Sequence, residues 1–228
     1  MNISNYRELL FTKDSYTLGL ADYTSEGIAA NDKKVSITAI EGYEENPILL
    51  TKTQEYGGKK IGYLVYNSFI GTNKFNLALN DSIAKLKEAG VTEMVLDLRY
   101  NGGGSLYTDQ LLCSMLTGSH TGELFSESKY NELLSNYYIK EYGKNALKDF
   151  FVDKIKDNKG NTLAPINSLH LKRLFVLTSG SSASASEQLI NGLKPYIDVV
   201  LQGTTTSGKY TSSITVYDYI DDKGTQKS

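Results

Sequence analysis

Three glycine- and hydroxyl-rich segments concentrate the residues able to do chemistry. The first is Asp97-Leu98-Arg99-Tyr100-Asn101-Gly102-Gly103-Gly104, which continues the short apolar run Glu93–Leu98 and leads into helical spacing. Glycines let a backbone approach a ligand and turn its N–H groups outward. Taken alone, they are better explained as a tight strand-to-helix turn needing positive φ. The second is Ser181-Ser182-Ala183-Ser184-Ala185-Ser186-Glu187, again between an apolar run and a helix. Such a turn presents a hydroxyl at its tip beside first-turn N–H groups that steady a developing anion. Ser184 with Glu187 three residues on also fits the capping box, the better explanation of that segment by itself. The third, Gly203-Thr204-Thr205-Thr206-Ser207-Gly208-Lys209-Tyr210, nearly spells the phosphate-cradling G-x-x-x-x-G-K-[ST]. Tyr210 stands where a magnesium-binding hydroxyl belongs, and residues 211–218 alternate like a strand instead of opening a helix, so nucleotide binding is rejected. What remains for that loop is a lysine in a polar setting, ordinarily exposed.

The loops gain force together. A serine nucleophile needs a base within hydrogen-bond reach. His120 lies in a loop after a helix and His170 just before a strand, both poorly placed for that role. A lysine can serve if burial keeps it neutral, which requires its ordinary pKa of about 10.4 to fall to roughly 7–8. The glycine-rich setting of Lys209 beside apolar strands is compatible with such desolvation.

The elements that position these loops are read from periodicity. Strands are expected at 15–21, 34–40, 47–51, 61–66, 93–98, 173–177 and 198–201, with a turn at Gly57-Gly58. Phe75, Leu79, Ile83 and Leu86 form one helical stripe that Gly90 ends. Further helices are expected at 5–11, 106–116 and 183–193, and one at 129–134 in the otherwise irregular stretch from 121 to 171. Strand and helix alternate through the middle and end of the chain, which indicates an α/β core of βαβ units. Residues 213–220 read as a strand, Asp221–Gly224 as a hairpin turn, and only 225–228 remain for the return.

Composition closes other routes. With 24 Lys and Arg against 26 Asp and Glu, the 228-residue chain lacks the basic footprint of a nucleic-acid binder. No apolar run approaches the roughly 20 residues of a membrane span. Cys113 is the one cysteine, so there is no intrachain disulfide and no thiolate cluster. Two histidines and no HExxH or EF-hand spacing give no metal site and no cofactor. The 17 tyrosines suit half-buried strands and binding surfaces alike. No signal peptide is visible after Met1, and the chain reads as a piece of a longer protein.

In order and spacing, Asp97–Gly104, Ser182–Glu187 and Gly203–Lys209 resemble the C-terminal processing serine peptidases, relatives of the tricorn core protease. The resemblance covers about residues 60–220 and rests on three ordered motifs. It implies a ClpP/crotonase-like core over residues 59–228, truncated at its end. It further implies a β-rich linker over 23–58 and a PDZ-domain remnant over 1–22. It also implies Ser184 as nucleophile, Lys209 as general base, and the N–H groups of Gly103 and Ala185 as the oxyanion hole. Many members carry a glutamine four residues after the lysine; Ser213 stands there and is the possible third member. The implied activity is a serine endopeptidase acting near C-terminal tails of protein substrates, its full-length parent in the periplasm or cell envelope. Two rivals stand beside it: a catalytically inactive peptide-binding scaffold of the same fold, and a crotonase-like acyl-CoA enzyme, against which the serine and lysine motifs argue. One fold hosts many functions, so the site must decide.

Overall fold

Alternation of apolar runs with helical stripes sets the architecture. The computed structural model describes residues 6–11, 14–213, 219–220 and 226–227. The chain divides into two units, Met1–Glu45 and Asn46–Ser228. The first holds a short helix, α1 (Tyr6–Phe11), and a long antiparallel hairpin of β1 (Ser15–Thr24) and β2 (Gly27–Thr38). Residue 22, the end of the expected PDZ remnant, falls inside β1. The observed division comes at 45/46 because β2 pairs with β1 and not with the sheet that follows.

The second unit begins with β3 (Ile48–Tyr56) and β4 (Lys59–Tyr66). Gly57 and Gly58 join them at φ 57° and 73°, the pair of positive values that a two-residue hairpin turn requires. Next come α2 (Asn73–Glu88), β5 (Glu93–Asp97) and α3 (Leu106–Thr117). Thr72 caps α2 by accepting the Phe75 N–H, and the stripe Phe75, Leu79, Ile83, Leu86 is buried. Ser105 caps α3 by accepting from Thr108 N, and Gly118 ends it at φ 59°. Then follow β6 (Leu124–Glu127), α4 (Glu132–Tyr142), β7 (Lys148–Phe150), β8 (Lys154–Lys156) and β9 (Thr162–Pro165). Two small antiparallel ladders, β6 with β7 and β8 with β9, thus order the stretch expected to be irregular. α4 starts three residues later than its spacing suggests because Asn131 caps it through Leu134 N, and it buries none of its residues.

The core closes with β10 (Arg173–Thr178), α5 (Ala185–Leu193) and β11 (Asp198–Gly203). The five-stranded sheet runs β11-β10-β5-β4-β3, parallel except for β3. Leu64, Met94, Leu96, Leu174 and Val176 of the sheet join Leu111, Leu112, Met115, Leu189 and Leu193 of the helices in one apolar core. A last ladder pairs β12 (Tyr219–Ile220) with β13 (Gln226–Lys227), the return expected from the sequence; its turn and residues 214–218 lie outside the described residues. Among the described residues no helix is long and apolar enough to cross a membrane.

Candidate active site

Parallel pairing of β5 with β10 places Asp97 opposite Leu177, so the loops leaving both strands emerge side by side. Leu98 N donates to Leu177 O at 3.0 Å and extends the ladder by one rung. Asp97 is buried at the strand end. Burial alone would raise its carboxyl pKa, but the Arg99 fork outweighs that, with Nε at 2.9 Å and Nη2 at 2.7 Å. The Tyr63 hydroxyl at 2.6 Å and the Arg99 N–H add to it, and the net shift is downward. This charged clasp fixes the direction in which the chain leaves β5.

Asn101 joins the glycine turn to the serine turn. It has no exposed surface. Its Nδ2 donates to Tyr66 O at 2.9 Å, and its Oδ1 accepts the Gly103 N–H at 2.9 Å. Its own carbonyl accepts Ala183 N at 3.1 Å and the Ser186 hydroxyl at 2.9 Å. Gly103 then passes so close that a Cβ there would lie 2.7 Å from Ser184 Cβ and 3.0 Å from Ala185 N, at φ 99°. Only glycine fits both the angle and the space.

The serines of the second turn separate by environment. Ser182 is buried; its hydroxyl donates to Leu98 O at 2.7 Å and accepts Ser179 N at 3.0 Å. Ser186 is buried on Asn101 O. Ser179 donates to Arg99 O. These hydroxyls are taken up in binding the turns together. Ser184 is half-buried at φ 57°, ψ −116°, with its hydroxyl over the first turn of α5 in capping-box register but closing no side-chain cap hydrogen bond. A serine there costs about 1–3 kcal/mol of backbone strain. It is also why α5 begins at Ala185 and not at the expected 183. Ser186 N and Glu187 N find Ala183 O and Ser184 O, whereas the N–H of Ala185 has no intrahelical acceptor.

Lys209 arrives from the end of β11. Thr204 N and O pair with Thr178 O and Oγ1, and Ser207 N donates to Ser182 O at 2.9 Å. Glu187 completes the attachment. Its Oε2 accepts both Ser184 N and Lys209 N at 2.9 Å, and its Oε1 accepts Gly208 N at 2.6 Å and Thr206 Oγ1 at 2.7 Å. Two amides each 2.9 Å from one oxygen lie no farther apart than twice that distance, so the backbones of Ser184 and Lys209 are brought together. Burial would raise the Glu187 pKa, but its four hydrogen bonds lower it overall.

Three expectations change. The Lys209 side chain is exposed, because its loop runs over the surface and not between strands, so the anticipated burial is not provided here. The Gly103 N–H, expected to be open, is held by Asn101 Oδ1. Ser213 lies exposed in the irregular segment 205–213, with no hydrogen bond to Lys209 among the described residues. That segment forms no helix after Lys209, in keeping with the rejection of a phosphate loop.

Neither histidine joins the site. His120 packs against Tyr196 with ring centroids 4.7 Å apart and tilted by 54°, and is bonded to Glu123 at 3.1 Å. His170 contacts Ser119 and precedes β10, whose six residues separate it from the serine turn by about 20 Å at ~3.3 Å per residue. Cys113 is buried in α3 against Asp109, and burial pushes its thiol pKa up, the opposite of an activated nucleophile. Sequence reasoning treated Glu187 only as a helix cap and missed its grip on residues 206–209. It also missed Tyr63 and the central position of Asn101. The capping-box spacing was the one signal that pointed at Glu187.

The family model for peptidase family S41 matches residues 60–225. A probable CtpA-like serine protease of Staphylococcus aureus (strain COL) is 27% identical over 185 residues, covering 77% of this chain and 32% of its own length. The chain therefore spans about a third of the length of the curated relatives it matches. The crystal structure of a putative S41 protease from Bacteroides fragilis NCTC 9343 superposes with a TM-score of 0.71 at 28% identity, over 92% of this chain and 52% of that one. The photosystem II D1 C-terminal processing protease shares the fold at a TM-score of 0.52 and 22% identity, over 78% of this chain and 41% of that one.

Proposed function

The chain belongs to peptidase family S41, and we propose that Ser184 and Lys209 make it the serine–lysine centre of an endopeptidase. One observation carries this reading. Among the serines of its turn, Ser184 alone has positive φ; its half-buried hydroxyl is not used in joining the loops, and its backbone shares a carboxylate oxygen with that of Lys209.

Ser184 Oγ attacks the peptide carbonyl while the Lys209 amine takes its proton, then returns it to the leaving amine; water releases the acyl group by the same steps. A lysine base must be out of water, and a polypeptide lying over the exposed loop supplies that cover. Ser213 is the candidate third member, its hydroxyl able to accept from the ammonium. Ala185 N–H stabilises the oxyanion, joined by Gly103 N–H when it turns from Asn101 Oδ1; such a donor contributes about 10²–10³ in rate. The substrate is a protein, cut near its C-terminal tail, and the full-length parent works in the cell envelope. Residues 1–22 are the end of a PDZ-like domain, a reading supported by the order of α1 and β1. The ClpP/crotonase-like core expected over residues 59–228 takes in β3 as well, a reading supported by the mainly parallel sheet that β3 joins through β4.

The test is phosphonylation by a fluorophosphonate probe together with turnover of an unstructured peptide. Labelling is expected in wild type and absent in Ser184→Ala, with turnover in that variant down by at least about 10⁴-fold. Equal labelling of both would overturn the assignment. The exposed Lys209 and the engaged Gly103 N–H favour a second reading, an inactive peptide-binding scaffold. Peptide binding without turnover in wild type would select it.

A further inference from the structure

Glu187 belongs to α5, yet three of the four groups it binds lie 19 to 22 residues away in the Lys209 loop. An ionised carboxylate offers about four acceptor sites, and here all are filled. Three of its donors are backbone amides, which cannot reverse polarity, and the fourth is the Thr206 hydroxyl. The carboxylate also sits in the first turn of α5, where negative charge is favoured. An ordinary helix cap needs only the Ser184 amide.

We propose that Glu187 is the positioning residue of this centre: one carboxylate fixes the strained Ser184 backbone with Oε2 and docks the Lys209 loop with both oxygens. This rests on the serine–lysine reading above and assigns to that site the group that assembles it. Glu187 itself touches no reacting atom. Its chemistry is replaceable by nothing isosteric. Glutamine offers one oxygen, and its NH₂ then faces either the Ser184 and Lys209 amides or the Gly208 amide and the Thr206 hydroxyl, so at least one backbone N–H loses its acceptor. Aspartate is shorter by one methylene and cannot reach both backbones.

The experiment uses the full chain and two independent readouts. In Glu187→Gln, hydrogen exchange of the amides at Gly208 and Lys209 should rise by at least about tenfold while that of β10 stays unchanged, since hydrogen bonds to a charged group have been removed. Peptide turnover should fall by about 10²-fold through kcat, with KM little changed, as expected when a base is held about 1 Å out of place. Glu187→Asp should not rescue. Should Glu187→Gln fail to fold, Thr206→Val, which removes one of the four bonds, should shift both readouts in the same direction by less. Unchanged exchange in the 206–209 segment overturns the proposal whatever the activity. Faster exchange with undiminished turnover overturns the positioning role. If wild type neither labels nor turns over peptide, the peptidase reading fails, and exchange alone still decides whether Glu187 docks the loop.

Discussion

Asn101 and Lys209 stand at opposite extremes of one site. Asn101 has no exposed surface and ties the glycine turn to Tyr66, Ala183 and Ser186. Lys209 is exposed, and its backbone is held by a carboxylate from another element. The serine side of the site is therefore part of the core and shares its stability. The lysine side depends on a few charge-assisted bonds at the surface. Preorganisation is worth most where reacting groups must sit within hydrogen-bond reach, so the two halves should fail differently.

The sharpest break comes from Gly103→Ala. The added Cβ meets Ser184 Cβ at 2.7 Å in a backbone at φ 99°. Probe labelling should fall by at least about 10²-fold through misplacement of the serine, and thermal unfolding should drop with about 1–3 kcal/mol of strain. Asn101→Ala is next. It leaves Gly103 N and Tyr66 O without partners in the core, and chemical denaturation should register a loss of about 3 kcal/mol. A comparable loss from Lys209→Ala would erase the contrast between the buried and exposed halves of the site, because an exposed side chain should change stability by no more than about 0.5 kcal/mol.

Acid offers a gentler probe. The Glu187 pKa is lowered from its ordinary 4.5, so its contribution is fully present above that value and is lost as pH falls through the lower folded value. Corrected for the intrinsic slowing of amide exchange in acid, the protection of Gly208 and Lys209 should fall in that acidic window in wild type, and Glu187→Gln should abolish that fall. Smallest of all, Ser181→Ala should leave stability within about 0.5 kcal/mol and labelling unchanged, since its side chain is exposed.

What the sequence revealed was local. The α2 stripe, the Gly57-Gly58 turn and the core strands β4, β5, β10 and β11 follow from periods of 3.6 and 2 and from positive-φ glycines, whereas β2 (Gly27–Thr38) starts before the expected 34–40 and β3 (Ile48–Tyr56) runs past the expected 47–51, because hairpin pairing extends both. The start of α4 depended on a single asparagine cap and an unburied helix, so no stripe marked it. Ser184 and Glu187 fitted a capping box, of which the Glu187 half, accepting the Ser184 N–H, formed; the remaining bonds of Glu187 are tertiary, and no local spacing encodes them. The exposure of Lys209 was equally illegible, because a glycine-rich loop beside apolar strands can lie over a sheet edge as easily as beneath it.

The strands that carry the three loops, β5, β10 and β11, occupy neighbouring places in the sheet in the same order as in the chain. A polypeptide growing from its N-terminus completes the glycine turn first, the serine turn second and the amine last. During synthesis Glu187 and the serine turn are thus made before the 206–209 segment that the Glu187 carboxylate holds, so that attachment is the last part of the site to close.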